Sequence, residues 1–160
     1  MKKNDFVILT DTRQQKEKHI LKEFDKQKIL HIRTTLPSAD YMILRYKKEI
    51  GMSLDYSALI DTKKNIEEIV HNLCNTQEHE RIKREIAKGK ELGCKEFIFL
   101  IGDDKIKTIK DLQNWSSKRT KVKGLTLLKI MNTMTKKYGV RFIICPKKKM
   151  GEYIIKLLGG

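Results

Sequence analysis

Short apolar runs alternate along this chain with longer stretches in which apolar residues recur every three or four positions. "DFVILTD" (Asp5 to Asp11) is a brief, β-branched apolar run and predicts a buried strand. "QKEKHILKEFDKQ" (15–27) instead sets His19, Ile20 and Phe24 on one helical face and charges on the others. "ILHIRTTL" and "DYMILRYKKEI" read as a second and a third strand. Gly51 then turns the chain into "MSLDYSALIDTK", which predicts an antiparallel hairpin. After Lys63 the period changes. Ile66, Ile69, Val70 and Leu73 form a helix stripe, and "EHERIKREIAKGKELG" follows as a second helix closed by Gly93. "CKEFIFLIGD" is a strongly apolar strand and "VRFIICP" the last one. "IKDLQNW" and "LTLLKIMNTMTKKYG" read as helices around the lysine-rich "SSKRTKVKG", and "GEYIIKLL" as a terminal helix. Strands that first pair as a meander and then alternate with helices give an α/β fold, a mixed central β-sheet flanked by helices. Residues 1–160 form one domain by length, and no repeat or Gly/Ser/Pro-rich linker divides them.

Charge changes the picture most. Thirty-five lysines and arginines against twenty acids give a net charge of +15 and a pI near 9.7. Such a field attracts polyanions, and nucleic acid is the partner it fits best. An anionic membrane surface competes on charge alone, but no helix sets a basic face opposite a Trp/Phe/Leu face. No run approaches the roughly 18 apolar residues of a membrane span. The start "MKKNDFVILTD" has too short an apolar run for a signal peptide. Three widely spaced cysteines (Cys74, Cys94, Cys145) make neither a zinc pattern nor a disulfide framework, so a reducing cytoplasm is expected.

Candidate chemistry lies at the joint "ALIDTKKNIEEIV" (58–70), where a strand ends on Asp61 and Lys63 just before a helix opens. Residues i and i+2 of a strand share a face, so the carboxylate and the ammonium project together. Counted about Gly51, the hairpin brings Asp40 beside Asp61. Two carboxylates and a backbone carbonyl, that of Thr62, make a partial oxygen cage for Mg2+ or Mn2+. Lys63 would orient a water or neutralise developing charge; at a strand end it is expected to support little core. Glu67, on the first turn of the next helix, is expected to face back toward the strand end. A plainer reading makes the Asp61–Lys63 pair a solvated strand terminus. Asp11 reads equally as a turn or cap residue, Arg13 as a surface cation, and Trp115, Met131 and Met134 as core. Glu80, Arg81 and Glu85 either support the site or pair on the surface. Lys64, the loop cations Lys118, Arg119, Lys121 and Lys123, and Lys147, Lys148 and Lys149 are the candidate DNA-backbone contacts.

These residues carry a resemblance. The chain resembles an XPF-type nuclease domain of the restriction-endonuclease-like superfamily, whose signature is Gly-Asp, then Glu-Arg-Lys, three residues and Asp. Here Ala39-Asp40 stands for the first, Asp61-Thr62-Lys63 for the second, and Glu67 falls in the last slot. "DTRQ" (Asp11 to Gln14) is similar to that family's Asp-x-Arg-Glu, and "LPSADYM" to its Leu-Pro-x-Gly-Asp-Tyr. Ala39 replaces a glycine, Asp61 a glutamate, Thr62 an arginine and Gln14 a glutamate. The resemblance implies a restriction-endonuclease-like fold and a Mg2+-dependent DNA endonuclease acting on branched, junction or flap DNA. It makes Asp40, Asp61, Lys63, Glu67, Asp11 and Arg13 the catalytic set, with Asp40, Asp61 and Thr62 at the metal. It also implies a homodimer through the nuclease domain and a role in repair or recombination. The chain ends without the family's helix-hairpin-helix modules, which would suit a compact phage or mobile-element enzyme in a bacterial or infected host cell. The contrasting expectation is a non-catalytic DNA-binding subunit whose site has decayed, and a small junction-resolving enzyme on the same fold is a third.

Overall fold

A computed structural model describes residues 5–14 and 17–159. One mixed six-stranded sheet runs through the centre. Its strands are β1 (Phe6–Asp11), β2 (His31–Thr34), β3 (Tyr41–Lys47), β4 (Gly51–Lys63), β5 (Glu96–Gly102) and β6 (Arg141–Cys145), in the spatial order β2-β1-β3-β4-β5-β6. The expected meander is replaced by a crossover. Helix α1 (Lys18–Lys26) carries the chain over so that β2 pairs parallel to β1 at the sheet edge, and β3 docks antiparallel on the other side of β1. β4 to β6 are mutually parallel and joined by helices.

Alternation along the strands divides the interior into two clusters. Leu59, Phe97, Phe99 and Ile101 face α2 (Ile66–Cys74), α3 (Thr76–Glu91) and α4 (Gly124–Tyr138). Ile60, Ile98 and Leu100 face α1 and α5 (Met150–Gly159). β5 is buried on both faces, which is why it reads as a continuous apolar run. Met131 and Met134 are core, as expected, and Trp115 packs at its margin. The helix expected from Gln15 begins at Lys18; Gln15 and Lys16, like residues 1–4, lie outside the described residues.

The hairpin register decides where the acids meet. Its turn is Lys48–Ile50, and Gly51 opens β4 at a left-handed φ of +75°. Lys47 pairs with Gly51 and Ile43 with Asp55, a register that would carry Asp40 opposite Ala58. Between Tyr41 and Ile43 the register shifts by three residues, so that Tyr41 pairs with Ile60 instead. A bulge of this kind bends its strand and re-aims side chains. The count about Gly51 therefore names the right neighbour for Asp40, but the bulge, not the turn, puts it there.

The lysine-rich loop is equally fixed. Ser116 bridges Lys123, Ser117 N donates to Val122 O at 2.9 Å, and Gly124 N donates to Trp115 O at 2.7 Å. A Cβ on Gly124 would come within 1.6 Å of the Leu112 carbonyl oxygen, so the first turn of α4 admits no side chain there. We expect Gly124→Ala to lower stability by about 3 kcal/mol through overpacking against backbone, read as a fall in the urea midpoint; an unchanged midpoint would mean the loop does not depend on this contact.

Candidate active site

The end of β4 is not a solvated terminus. Asp61, Thr62 and Lys63 expose only 7%, 4% and 4% of their surfaces. Asp61 and Lys63 share the face of Leu59, and Lys63 Nζ lies 3.2 Å from Asp61 Oδ2 and 6.0 Å from the centre of the Phe99 ring. Phe99 gives the lysine stem an apolar seat and the ammonium a π face. Lys63 is thus part of the packed interior, which corrects the expectation that it supports little core. An ion pair this dry is costly to break from one side, because the remaining charge stays buried.

Asp40 stands beside this pair. Its backbone joins two strands, with Asp40 N donating to Ile60 O and Asp11 N donating to Asp40 O, both at 2.9 Å. Its side chain turns to Thr62: Asp40 Oδ2 accepts from Thr62 N at 2.8 Å and lies 3.0 Å from Thr62 Oγ1. Burial, then the charge of Asp61, then a hydrogen bond with Asp61 push the Asp40 carboxyl well above the usual carboxylate range. Ala39, in the slot where the resembling family has glycine, adopts a left-handed φ of +62°. Holding an alanine there costs about 1 kcal/mol, and it aims the next residue into the site.

Two neighbours were not among the residues picked for catalysis from sequence. Gln14 Nε2 donates to Thr62 Oγ1 at 2.6 Å and reaches Asp40 Oδ2 at 3.4 Å. Glu17 Oε2 accepts from Tyr41 Oη and lies the same 3.2 Å from Thr62 Oγ1. Burial is the main cause of a raised pKa at Glu17. Nothing in the spacing of Glu17 marks it. It lies before a surface helix and meets Thr62 only in the folded chain.

The other expected residues divide. Asp11 is buried, and it pins the loop after β2 by accepting from Leu36 N at 2.9 Å and from Arg13 Nε at 2.6 Å. It acts as a strut rather than facing the cleft. Arg13 is largely exposed at the rim of a cleft of about 430 Å3, which Gln14, Glu17, Thr62, Lys64 and Lys147 also line. Glu67 does not face back to the strand end. Its carboxylate accepts from Ser117 Oγ and Lys118 N, each at 2.7 Å, because the lysine-rich loop folds over the start of α2. Glu68 instead turns back, accepting from Lys64 N at 2.9 Å. Glu80 and Arg81 are committed to helix-surface pairs with Lys83 and Glu78. Glu85 receives Ser38 Oγ on its carbonyl.

Around the cleft the cations gather. Lys64 is shared with a depression that Arg119 also lines, and Lys147 with another that Lys118 lines. Lys121, Lys123, Lys148 and Lys149 are exposed nearby in sequence but line none of these depressions. Among the described residues no three His, Cys, Asp or Glu side chains are gathered tightly enough to cage a metal alone. The Asp40–Asp61 pair still fits a hard divalent ion, which needs one or two carboxylates and takes its other oxygens from water and phosphate. Two like carboxyl groups brought together raise the proton affinity of one of them, and a bound cation would take the place of that proton.

A family model described as the ERCC4 domain matches residues 10–158. The chain belongs to that family. Among solved structures this ERCC4 domain is similar to "XPF from Aeropyrum pernix", with a TM-score of 0.67 and 14% identity over 95% of this chain. The match spans 63% of the archaeal chain's length. No curated protein matches the sequence. The XPF-type resemblance and the restriction-endonuclease-like fold read from the motifs are borne out.

Two outcomes test this geometry. Protons on Asp40 and Glu17 are held more tightly folded than unfolded. Their contribution to stability is complete below the unfolded carboxylate pKa of about 4 and is lost as pH rises through the raised folded values. Asp40→Asn should therefore melt higher than wild type at pH 7, at ~2–4 °C per kcal/mol, with the gap closing by about pH 4. A constant gap across that range would mean Asp40 carries no raised pKa. Separately, Lys63→Ala should lose about 3 kcal/mol by leaving Asp61 buried and unpaired, while Asp61→Asn/Lys63→Met should recover most of it. Additive losses in the double variant would show that the pair is not coupled.

Proposed function

We propose that this ERCC4 domain is a metal-dependent DNA endonuclease that hydrolyses phosphodiester bonds in branched, junction or flap DNA. The observation that carries the reading is the half-buried Asp40 beside the buried Asp61–Lys63 pair, with Thr62, whose N–H Asp40 accepts, on the wall of a cleft rimmed by cations. Asp40, Asp61 and Thr62 would hold Mg2+ or Mn2+. When bound, such an ion contributes charge to the scissile phosphate and acidity to a water.

The chain's own residues do the rest. Lys63, fixed by Asp61 and Phe99, holds an ammonium where negative charge develops, and it needs no reorganisation at the moment of reaction. Arg13, tethered by Asp11, offers a guanidinium at the rim to a phosphate. Lys64, Lys118, Arg119 and Lys147 extend that reach along the backbone on either side, with Lys121, Lys123, Lys148 and Lys149 adding to the field. Branched substrates suit a domain that reads phosphate positions around a cleft.

The second reading, a non-catalytic DNA-binding subunit, rests on two features. Glu67 is committed to the loop, and Asp40 Oδ2 already has protein donors. One experiment separates the two. Wild type should nick flap, fork or four-way DNA with Mg2+ or Mn2+, and Asp40→Asn and Asp61→Asn should each lose about a hundred- to a thousandfold in single-turnover rate. Both variants should bind the same DNA in Ca2+, with a salt slope that falls by about 0.9 for each phosphate contact removed when Lys118, Arg119, Lys121 and Lys123 become alanine. Binding without cleavage of any branched or linear substrate would establish the non-catalytic reading.

A further inference from the structure

Glu17 occupies the N-cap position of α1, yet its side chain makes no capping hydrogen bond. An N-cap carboxylate ordinarily accepts from the first free N–H groups of its helix. Here only the backbone carbonyl serves the helix, accepting from Ile20 N at 3.1 Å. The carboxylate is turned into the cleft, onto Tyr41 Oη and Thr62 Oγ1.

Hydrogen counting gives that turn a consequence. Thr62 Oγ1 accepts from Gln14 Nε2 and has one proton of its own to donate. Two carboxyl oxygens lie within reach of that proton, Glu17 Oε2 at 3.2 Å and Asp40 Oδ2 at 3.0 Å. Tyr41, whose hydroxyl donates to Glu17, is itself almost fully buried and so fixes the Glu17 end of the bridge. The Asp40 carboxyl is in turn bonded to the Thr62 backbone N–H. That one proton serves a single carboxyl at a time, so the Thr62 hydroxyl, held between Gln14 and the cleft-lining Glu17, is packed against Asp40 Oδ2 at the end of the central strands.

We infer that Glu17 is a positioning residue, which through the Thr62 hydroxyl holds the Asp40 carboxyl in place. The inference rests on the nuclease reading for its use in catalysis, but its geometry is independent of that reading. Glu17 hydrogen-bonds Tyr41 and Thr62 and meets Asp61 only through the repulsion of like charges. The side chain, turned away from its own helix cap, serves two polar groups, the hydroxyl of the core residue Tyr41 and the Thr62 hydroxyl beside Asp40.

The test reads the bond that Asp40 makes. Hydrogen exchange of the Thr62 amide, which donates to Asp40 Oδ2, is followed by NMR in the metal-free protein, with the core amide of Ile98 as the reference for global opening. Glu17→Ser keeps a strong N-cap residue, and so α1, but its side chain is too short to reach Thr62. Glu17→Gln keeps an acceptor at the same reach. We expect Glu17→Ser to speed Thr62 exchange about tenfold relative to Ile98, in line with the loss of one hydrogen bond, and Glu17→Gln to remain within about twofold of wild type. In a Thr62→Val background the Ser substitution should no longer change Mn2+ affinity, measured by electron paramagnetic resonance without DNA. Unchanged Thr62 exchange in Glu17→Ser would overturn the inference, as would equal loss in the Gln variant. A wild type that binds no Mn2+ would count against the nuclease reading, and the exchange result would still decide the role of Glu17.

Discussion

A carboxylate and an ammonium are buried together at the end of the central strand β4, and much of the surrounding structure exists to make that tolerable. Neither charge would survive alone in so dry a place, since desolvation of an unpaired ion costs several kcal/mol. Asp61 answers Lys63 at 3.2 Å, and Phe99 from the neighbouring strand supports the lysine stem. β5 must therefore lie parallel beside β4 in a fixed register, with Asp61 opposite Phe99. The helices α2 to α4 cover the same face and exclude water from it.

Against that pair the chain sets a third charge of the wrong sign. Asp40 is carried there by the three-residue register shift in the hairpin and by a left-handed Ala39, and it is held by backbone bonds to both β1 and β4. Bringing like carboxyl groups together raises the proton affinity of one of them. That cost has no return in folding. A cluster of this kind is stabilised by what it binds, a cation and a phosphate, rather than by itself. Asp55, by contrast, is a carboxylate with ordinary structural work in the same hairpin. Paired with Arg45 at 2.8 Å and bonded by Ser57, it is held down at about pKa 2.

The basic loop and the site form one unit. Glu67 accepts from Ser117 and Lys118 and so ties residues 116–123 to the helix that begins directly after Lys63. The backbone of that loop is thereby fastened to the start of α2, and its exposed cations project from it. An acid that the motif resemblance would set in the catalytic group here orders the loop proposed to meet DNA.

The α/β class, the strand ends, the shared face of Asp61 and Lys63 and the family itself were legible in the sequence. Each depends on local periodicity or on short motifs whose order survives substitution. Alternation alone puts residues 61 and 63 on one face, and the run from Phe97 to Ile101 reads as an apolar strand, which the fold buries on both faces. The tertiary structure decided the rest. Whether Asp61 and Lys63 were solvated or buried depended on what covered them, which no local pattern encodes. The edge position of β2 followed from the α1 crossover. The orientation of Glu67 followed from a loop fifty residues away, and Glu17 entered the site through contacts with residues 41 and 62. A sequence fixes which groups a chain has and which face they share. Which of them meet, and how dry they are when they do, is set by packing between elements distant along the chain.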